Sequence, residues 1–77
     1  MTSKRQHIDQ TLEMLLIAIG DVPAARDALV RIRDGLSYKA PELMDHMWWR
    51  IQDVLVRHAP GHTAAAEIWN TACAQYH

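Results

Sequence analysis

Apolar residues recur every three or four positions along almost the whole chain, and no segment alternates apolar with polar residues over the length of a strand. A period near 3.6 residues gathers apolar side chains on one side of a helix, whereas a strand needs a period of two. The chain is therefore expected to be all-α. Breakers divide the pattern into four runs. Ile8, Leu12, Leu15 and Ile19 form the first stripe and Gly20 offers a stop, giving a helix over about 3–19. Asp21 is placed to cap a second helix over 22–36, with Pro23 in the first turn, where its missing N–H has no partner to lose. Its stripe is Ala25, Leu29, Ile32 and Leu36. A loop over 37–40 leads to Pro41, which starts a third helix over 41–58 with Glu42 near the positive end of its dipole. Ala59, Pro60 and Gly61 break that helix, and Gly61 or Thr63 is placed to cap a fourth over 63–75, striped by Ala65, Ile68, Trp69, Ala72 and Tyr76. Short links between four helices predict a small four-helix antiparallel bundle forming one domain over residues 1–77.

Size makes such a bundle short of core. At 77 residues the folded chain buries only about 60% of the surface exposed by the unfolded one. Small domains of this kind draw extra stability from disulfides, metals, close helix packing or association. The single cysteine, Cys73, rules out an internal disulfide and a cysteine-built zinc site. Packing or association is left to supply the stability, and a homodimer is one way to do so. Lys and Arg number 8 against 9 Asp and Glu, so net charge provides no long-range steering toward nucleic acid or an anionic membrane. The basic start is followed by a short apolar run that Asp9 and Glu13 interrupt, and no small-residue cleavage site follows it. The longest apolar run, Met14 to Ile19, is far shorter than the roughly 18 residues needed to cross a bilayer. The expectation is a chain complete from Met1 and located in the cytoplasm, with no membrane association.

The third run does not close on itself. Leu43, Met44, Met47, Trp48, Ile51, Val54 and Leu55 share a broad arc that accounts for a core-facing side. Adjacent residues on a helix point about 100° apart, so Trp48 and Trp49 cannot both enter the core. Trp49 is expected outside, with Val56 on the same strip and Glu42, Asp45, His46, Asp53 and Arg57 as a charged border. A central aromatic residue inside a polar rim is how energetically dominant interface residues tend to be arranged. The end of the first helix is apolar all round, from Met14 to Ile19, so Leu16 and Ile17 are expected at a homodimer interface or in a partner-binding groove.

Reactive constellations are sparse. Of 5 histidines, His58 and His62 are four apart, but Pro60 and Gly61 between them interrupt the helical face that an i, i+4 metal pair needs. No metal site and no cofactor are expected. Cys73 lies among small residues without a placed base, so a buried structural thiol is expected. Asp45 and Asp53 stand two turns apart, too far to share a proton, and read as rim charges. The segment Arg57-His58-Ala59-Pro60-Gly61-His62 resembles, over six residues, the Arg-polar-x-x-x-His signature of HEPN-type ribonucleases. That resemblance implies Arg57 and His62 as an RNA-cleaving pair on paired subunits, although the family's motif is helical and Pro60-Gly61 departs from it. A helix-turn-helix reading finds carboxylates Glu42 and Asp45 at the start of the candidate recognition helix, where phosphates would lie. The better basic strip, Arg26, Arg31 and Arg33, is interrupted by Asp27 and Asp34.

The leading expectation is a non-enzymatic helical interaction module, an inhibitor, adaptor or regulator of the phage or mobile-element type. It would bind a larger protein or dimerise through Trp49, Val56, Asp45, Asp53, Leu16 and Ile17. A small dimeric DNA-binding regulator is the alternative, and a HEPN-like ribonuclease the third reading.

Overall fold

The computed structural model describes residues 3–76. Four helices follow one another: α1 (Lys4–Ala18), α2 (Pro23–Leu36), α3 (Met44–His58) and α4 (Thr63–Tyr76), with a single 3₁₀ turn, Pro41–Leu43, leading into α3. The expected stripes form the core, except that Val54 and Ile68 are only partly buried against it. Ile8, Leu12, Leu15 and Ile19 of the first run, and Ala25 and Leu29 of the second, have no exposed surface, and Ile32 and Leu36 join them. Met44, Met47, Trp48, Ile51 and Leu55 face them from α3, and Ala65, Trp69, Ala72 and Tyr76 from α4. α1 packs along both α2 and α4, and α2 packs along α3, so three seams of the bundle are closed. The fourth seam, between α3 and α4, lacks comparable close backbone approach. No helix among the described residues is long and apolar enough to cross a membrane.

Some helix ends depart from the simplest capping scheme, and each departure has a cause in a specific contact. Ser3 caps α1 in a reciprocal capping box with Gln6: the Ser3 hydroxyl accepts from the Gln6 N–H at 3.1 Å, and the Gln6 side chain accepts from the Ser3 N–H at 3.1 Å. Gly20 does not take a left-handed φ; the α1–α2 link is instead closed by the Val22 N–H donating to the Ile19 carbonyl at 2.9 Å. Asp21 does not cap α2, whose N-cap is Val22 without a side-chain bond. Its carboxylate is drawn away to His62, whose Nε2 lies 2.9 Å from Asp21 Oδ1. His62, rather than Gly61 or Thr63, caps α4: its Nδ1 accepts from the Ala65 N–H at 3.2 Å. In the neutral ring the proton therefore sits on Nε2 and points at Asp21. That bond holds the Asp21 carboxyl below the usual carboxylate range.

Pro60 and Gly61 make the turn that brings His62 there. The His62 N–H donates to the Ala59 carbonyl at 3.2 Å, with Pro60 and Gly61 as the two central residues and Gly61 at φ 77°. Pro followed by a left-handed residue is the type II pattern, and glycine takes that φ without steric cost. At the start of the third segment, the tighter 3₁₀ winding of residues 41–43 shifts the phase of the helix face. Leu43, expected in the core, is consequently 41% exposed, and the α-helix proper begins at Met44 instead of Pro41.

Truncating the fully buried Leu12 to alanine is expected to cost about 2–5 kcal/mol, a large share of the stability of a domain this small. Ile17→Ala, at a position 83% exposed, should stay within about 0.5 kcal/mol of the wild type. Urea unfolding followed by circular dichroism checks both, and comparable losses would refute the assignment of these faces.

Candidate protein-binding face on α3 and α4

The α3–α4 seam is governed by one ring. Trp48, 1% exposed, stacks on Tyr76 with centroids 4.3 Å apart and planes 6° apart. It also stacks on Trp69 with centroids 4.3 Å apart at 27°. His7 of α1 closes the cluster, its ring 5.5 Å from Trp48 and 6.0 Å from Tyr76. Its Nε2 lies 3.0 Å from the Ala72 carbonyl, which makes that nitrogen the donor. Burial pushes the Cys73 thiol up, against a smaller lowering by the neighbouring Trp48 indole. A thiol held protonated in this way is a poor nucleophile.

Asp45 is the polar counterpart of this stack. Tyr76 donates its hydroxyl to Asp45 Oδ1 at 2.6 Å, and Lys4 Nζ reaches the same oxygen at 3.0 Å. Lys4 also lies 5.5 Å from the centre of the Tyr76 ring, a geometry in which a cation is attracted to the ring face. One carboxylate thus ties the start of α1 to the start of α3 and the end of α4. Asp45, expected as a rim charge, also acts as a structural tie, because the C-terminal turn of α4 extends across to it. Burial, followed by the neighbouring carboxylate, raises the Tyr76 phenol far above its ordinary value.

Away from the Tyr76 end, the seam opens into a groove of about 390 Å³. Leu55, Ala59, Ala65 and Trp69 supply its apolar lining, and Gln52, Val56, Pro60, His62 and Asn70 border them. Trp49 and Val56 are 51% and 63% exposed on one strip of α3, seven residues apart. Val56 belongs to the groove wall, and Trp49 stands one turn before the groove begins. Asp53 lies between them on the outer surface, its carboxylate 3.0 Å from Arg57 Nε in an i, i+4 pair. Of the two α1 residues expected at an interface, Ile17 is almost fully exposed and Leu16 is not. Leu16 packs half-buried against the core, because it sits only about 40° around the helix from Leu12 with its i+4 spacing.

The remaining candidates are engaged elsewhere. Arg57 pairs with Asp53 and His62 caps α4, so both residues of the ribonuclease-like signature make contacts within the chain, separated by the turn at Pro60-Gly61. Arg26 and Arg33 lie 3.6 Å from the adjacent carboxylates of Asp27 and Asp34, which offsets the basic strip of α2. No group of three or more His, Cys, Asp or Glu residues gathers among the described residues in a way that could hold a metal ion. A second concavity of about 360 Å³ brings Arg5 and Arg33 together with Asp9, Gln6 and Ser37. There the Arg5 guanidinium donates to the Lys39 carbonyl, clamping the α2–α3 loop onto α1. Comparison with protein families, with characterised proteins and with solved structures finds no significant match.

The Tyr76–Asp45 bond has a pH signature. With the folded phenol raised above an unfolded value of about 10, its contribution is fully present below pH ~10 and is lost as pH rises above it. Tyr76→Phe is expected to cost about 1.5–3 kcal/mol at neutral pH, as for a hydrogen bond to a charged group. It should also flatten the alkaline fall in stability relative to the wild type. Thermal or urea unfolding of both proteins across the alkaline range measures this, and parallel pH profiles would contradict it.

Proposed function

We propose that this chain is a non-enzymatic interaction module that works as an inhibitor, adaptor or regulator, presenting the α3–α4 face to a larger protein or to a second copy. The observation that carries this reading is the pairing of half-exposed Trp49 and exposed Val56 with an apolar groove on the same rigid face. A surface tryptophan beside a concave apolar wall is the arrangement in which truncation at an interface tends to be most costly. The rim supports protein rather than nucleic acid as the occupant, because Gln52 and Asn70 are uncharged and Arg57 is already paired with Asp53. Phosphate recognition needs free positive charge. A cytoplasmic location belongs to the same proposal and rests on the sequence.

Capture on immobilised chain tests the reading. A partner should be retained by the wild type and by Ile17→Asp, and its affinity should fall by tenfold or more, about 1.4 kcal/mol or greater, in Trp49→Ala and Val56→Asp. Identical binding by all four proteins would remove this face from consideration.

A further inference from the structure

His62 holds two elements together through opposite edges of one ring. Its Nδ1 accepts from the Ala65 N–H at 3.2 Å, and its Nε2 lies 2.9 Å from Asp21 Oδ1 in the α1–α2 link. The Ala66 N–H donates to the His62 carbonyl at 2.9 Å, so backbone and side chain of one residue together close the first turn of α4. The two side-chain bonds demand the neutral ring with its proton on Nε2. Serine, threonine or asparagine at an N-cap offers an oxygen that accepts at any ordinary pH. An imidazole nitrogen does not, because both ring nitrogens of the cation are donors.

We propose that His62 is a proton-operated latch on α4. Neutral, it caps the helix and ties it to the α1–α2 link. Protonated, it keeps Asp21 and releases the cap, which frees the first turn of α4 at the edge of the groove.

The balance of contacts favours release over tightening. Protonation turns an Nδ1–H against the Ala65 N–H, donor facing donor, and first-turn N–H groups have no acceptor within their own helix. It also sets a positive charge at the helix N-terminus, where the dipole is positive as well. The compensating gain is an ion pair with Asp21, whose side chain is 71% exposed, and a pair with so exposed a partner gains little. Asp21 is the charged group that faces the ring from the α1–α2 link. The residues that line the groove with His62, from α3, the 59–61 turn and α4, are uncharged and do not titrate. Arg57, His58 and Glu67, the nearest ionisable residues in sequence, form no hydrogen bond or ion pair with His62 among the described residues. Trp69, about one turn beyond Ala65, is stacked on Trp48 with centroids 4.3 Å apart, which confines the release to the first turn. Ala65 and Ala66 form the part of the groove wall beside the ring, so that part of the wall responds to the proton, whatever occupies the groove.

Nuclear magnetic resonance of the full chain tests the latch between about pH 8 and pH 5, the range over which imidazoles change charge. The Ala65 amide should shift in step with the His62 ring. Its hydrogen-exchange protection, corrected for intrinsic rate, should fall roughly 2- to 30-fold, the equivalent of a lost N-cap. Near-ultraviolet circular dichroism of the Trp48 cluster should stay constant over the same range. His62→Asn, which caps without titrating, should hold Ala65 protected throughout, and His62→Ala should leave it unprotected throughout. Asp21→Asn, which keeps an acceptor and removes the charge, should move the Ala65 transition to lower pH. An Ala65 amide that stays protected while the His62 ring titrates overturns the proposal, as does a transition that survives in His62→Asn. Loss of the Trp48 signal together with Ala65 protection would mark unfolding of the whole domain and overturn the latch as a local device. A transition unmoved by Asp21→Asn would remove Asp21 from it.

Discussion

Everything in the α3–α4 half of the molecule depends on the stack of Trp48 between Tyr76 and Trp69. A bundle of 77 residues has few places to put large side chains, and here three aromatic rings and the His7 imidazole share one site. Aromatic pairs at such distances contribute about 0.5–1.5 kcal/mol beyond the burial of their area. The stack also fixes spacing. A tryptophan ring between two helices keeps their backbones farther apart than aliphatic side chains would, and α3 and α4 accordingly lack the close approach seen at the other seams. Two polar groups at the edge of the stack are tied within the chain: Tyr76 bonds Asp45, and His7 bonds the Ala72 carbonyl.

The spread seam explains where the groove lies. Tyr76 and Trp48 fill the end of the gap near the C-terminus of α4. Toward the other end the facing residues shrink to Ala59, Ala65 and Ala66, so the separation imposed by the rings is not filled. Large residues at one level and small residues at the next leave a concavity whose floor is Leu55 and Trp69. The groove is therefore a consequence of how the core is packed and not an added feature. Gly61 and His62 close its far end: the left-handed glycine turns the chain, and the capping imidazole holds α4 against Asp21 in the α1–α2 link. The groove walls are thus anchored at both ends, which limits the ordering cost that any occupant has to overcome.

The part of this architecture written in periodicity was legible beforehand. The stripes of α1 and α2 are buried residue for residue as their 3.6-residue spacing requires. The division of labour between Trp48 and Trp49 follows from the 100° between neighbours. What periodicity does not encode is which polar side chain reaches across to which helix. Asp45 reads as a surface charge because its spacing from Trp49 places it on the outer strip, yet Lys4 and Tyr76 converge on it from opposite ends of the sequence. Asp21 and His62 each had a plausible local role, and a contact spanning 41 residues took precedence over the first. Leu43 departs from its expected place in the core for a local reason: it lies in a 3₁₀ turn whose winding moves it out of phase.

The exposure of the proposed binding face follows from the same logic of competing demands. Trp49 adjoins Trp48 in sequence, so the residue that builds the core also fixes where its neighbour must point, about 100° around the helix on its outer shoulder. On that shoulder Trp49 keeps half its surface exposed, a burden that a small domain carries only at some risk of nonspecific association. Glu42, Asp53 and Arg57 around it restrain such association, because burying Trp49 in a mismatched surface also strips water from these charges. An occupant that fits the groove and leaves those charges at a wet rim avoids that cost. On the proposed reading, selectivity comes from the charged border of this face, and binding energy from the tryptophan and the alanine-lined groove beside it.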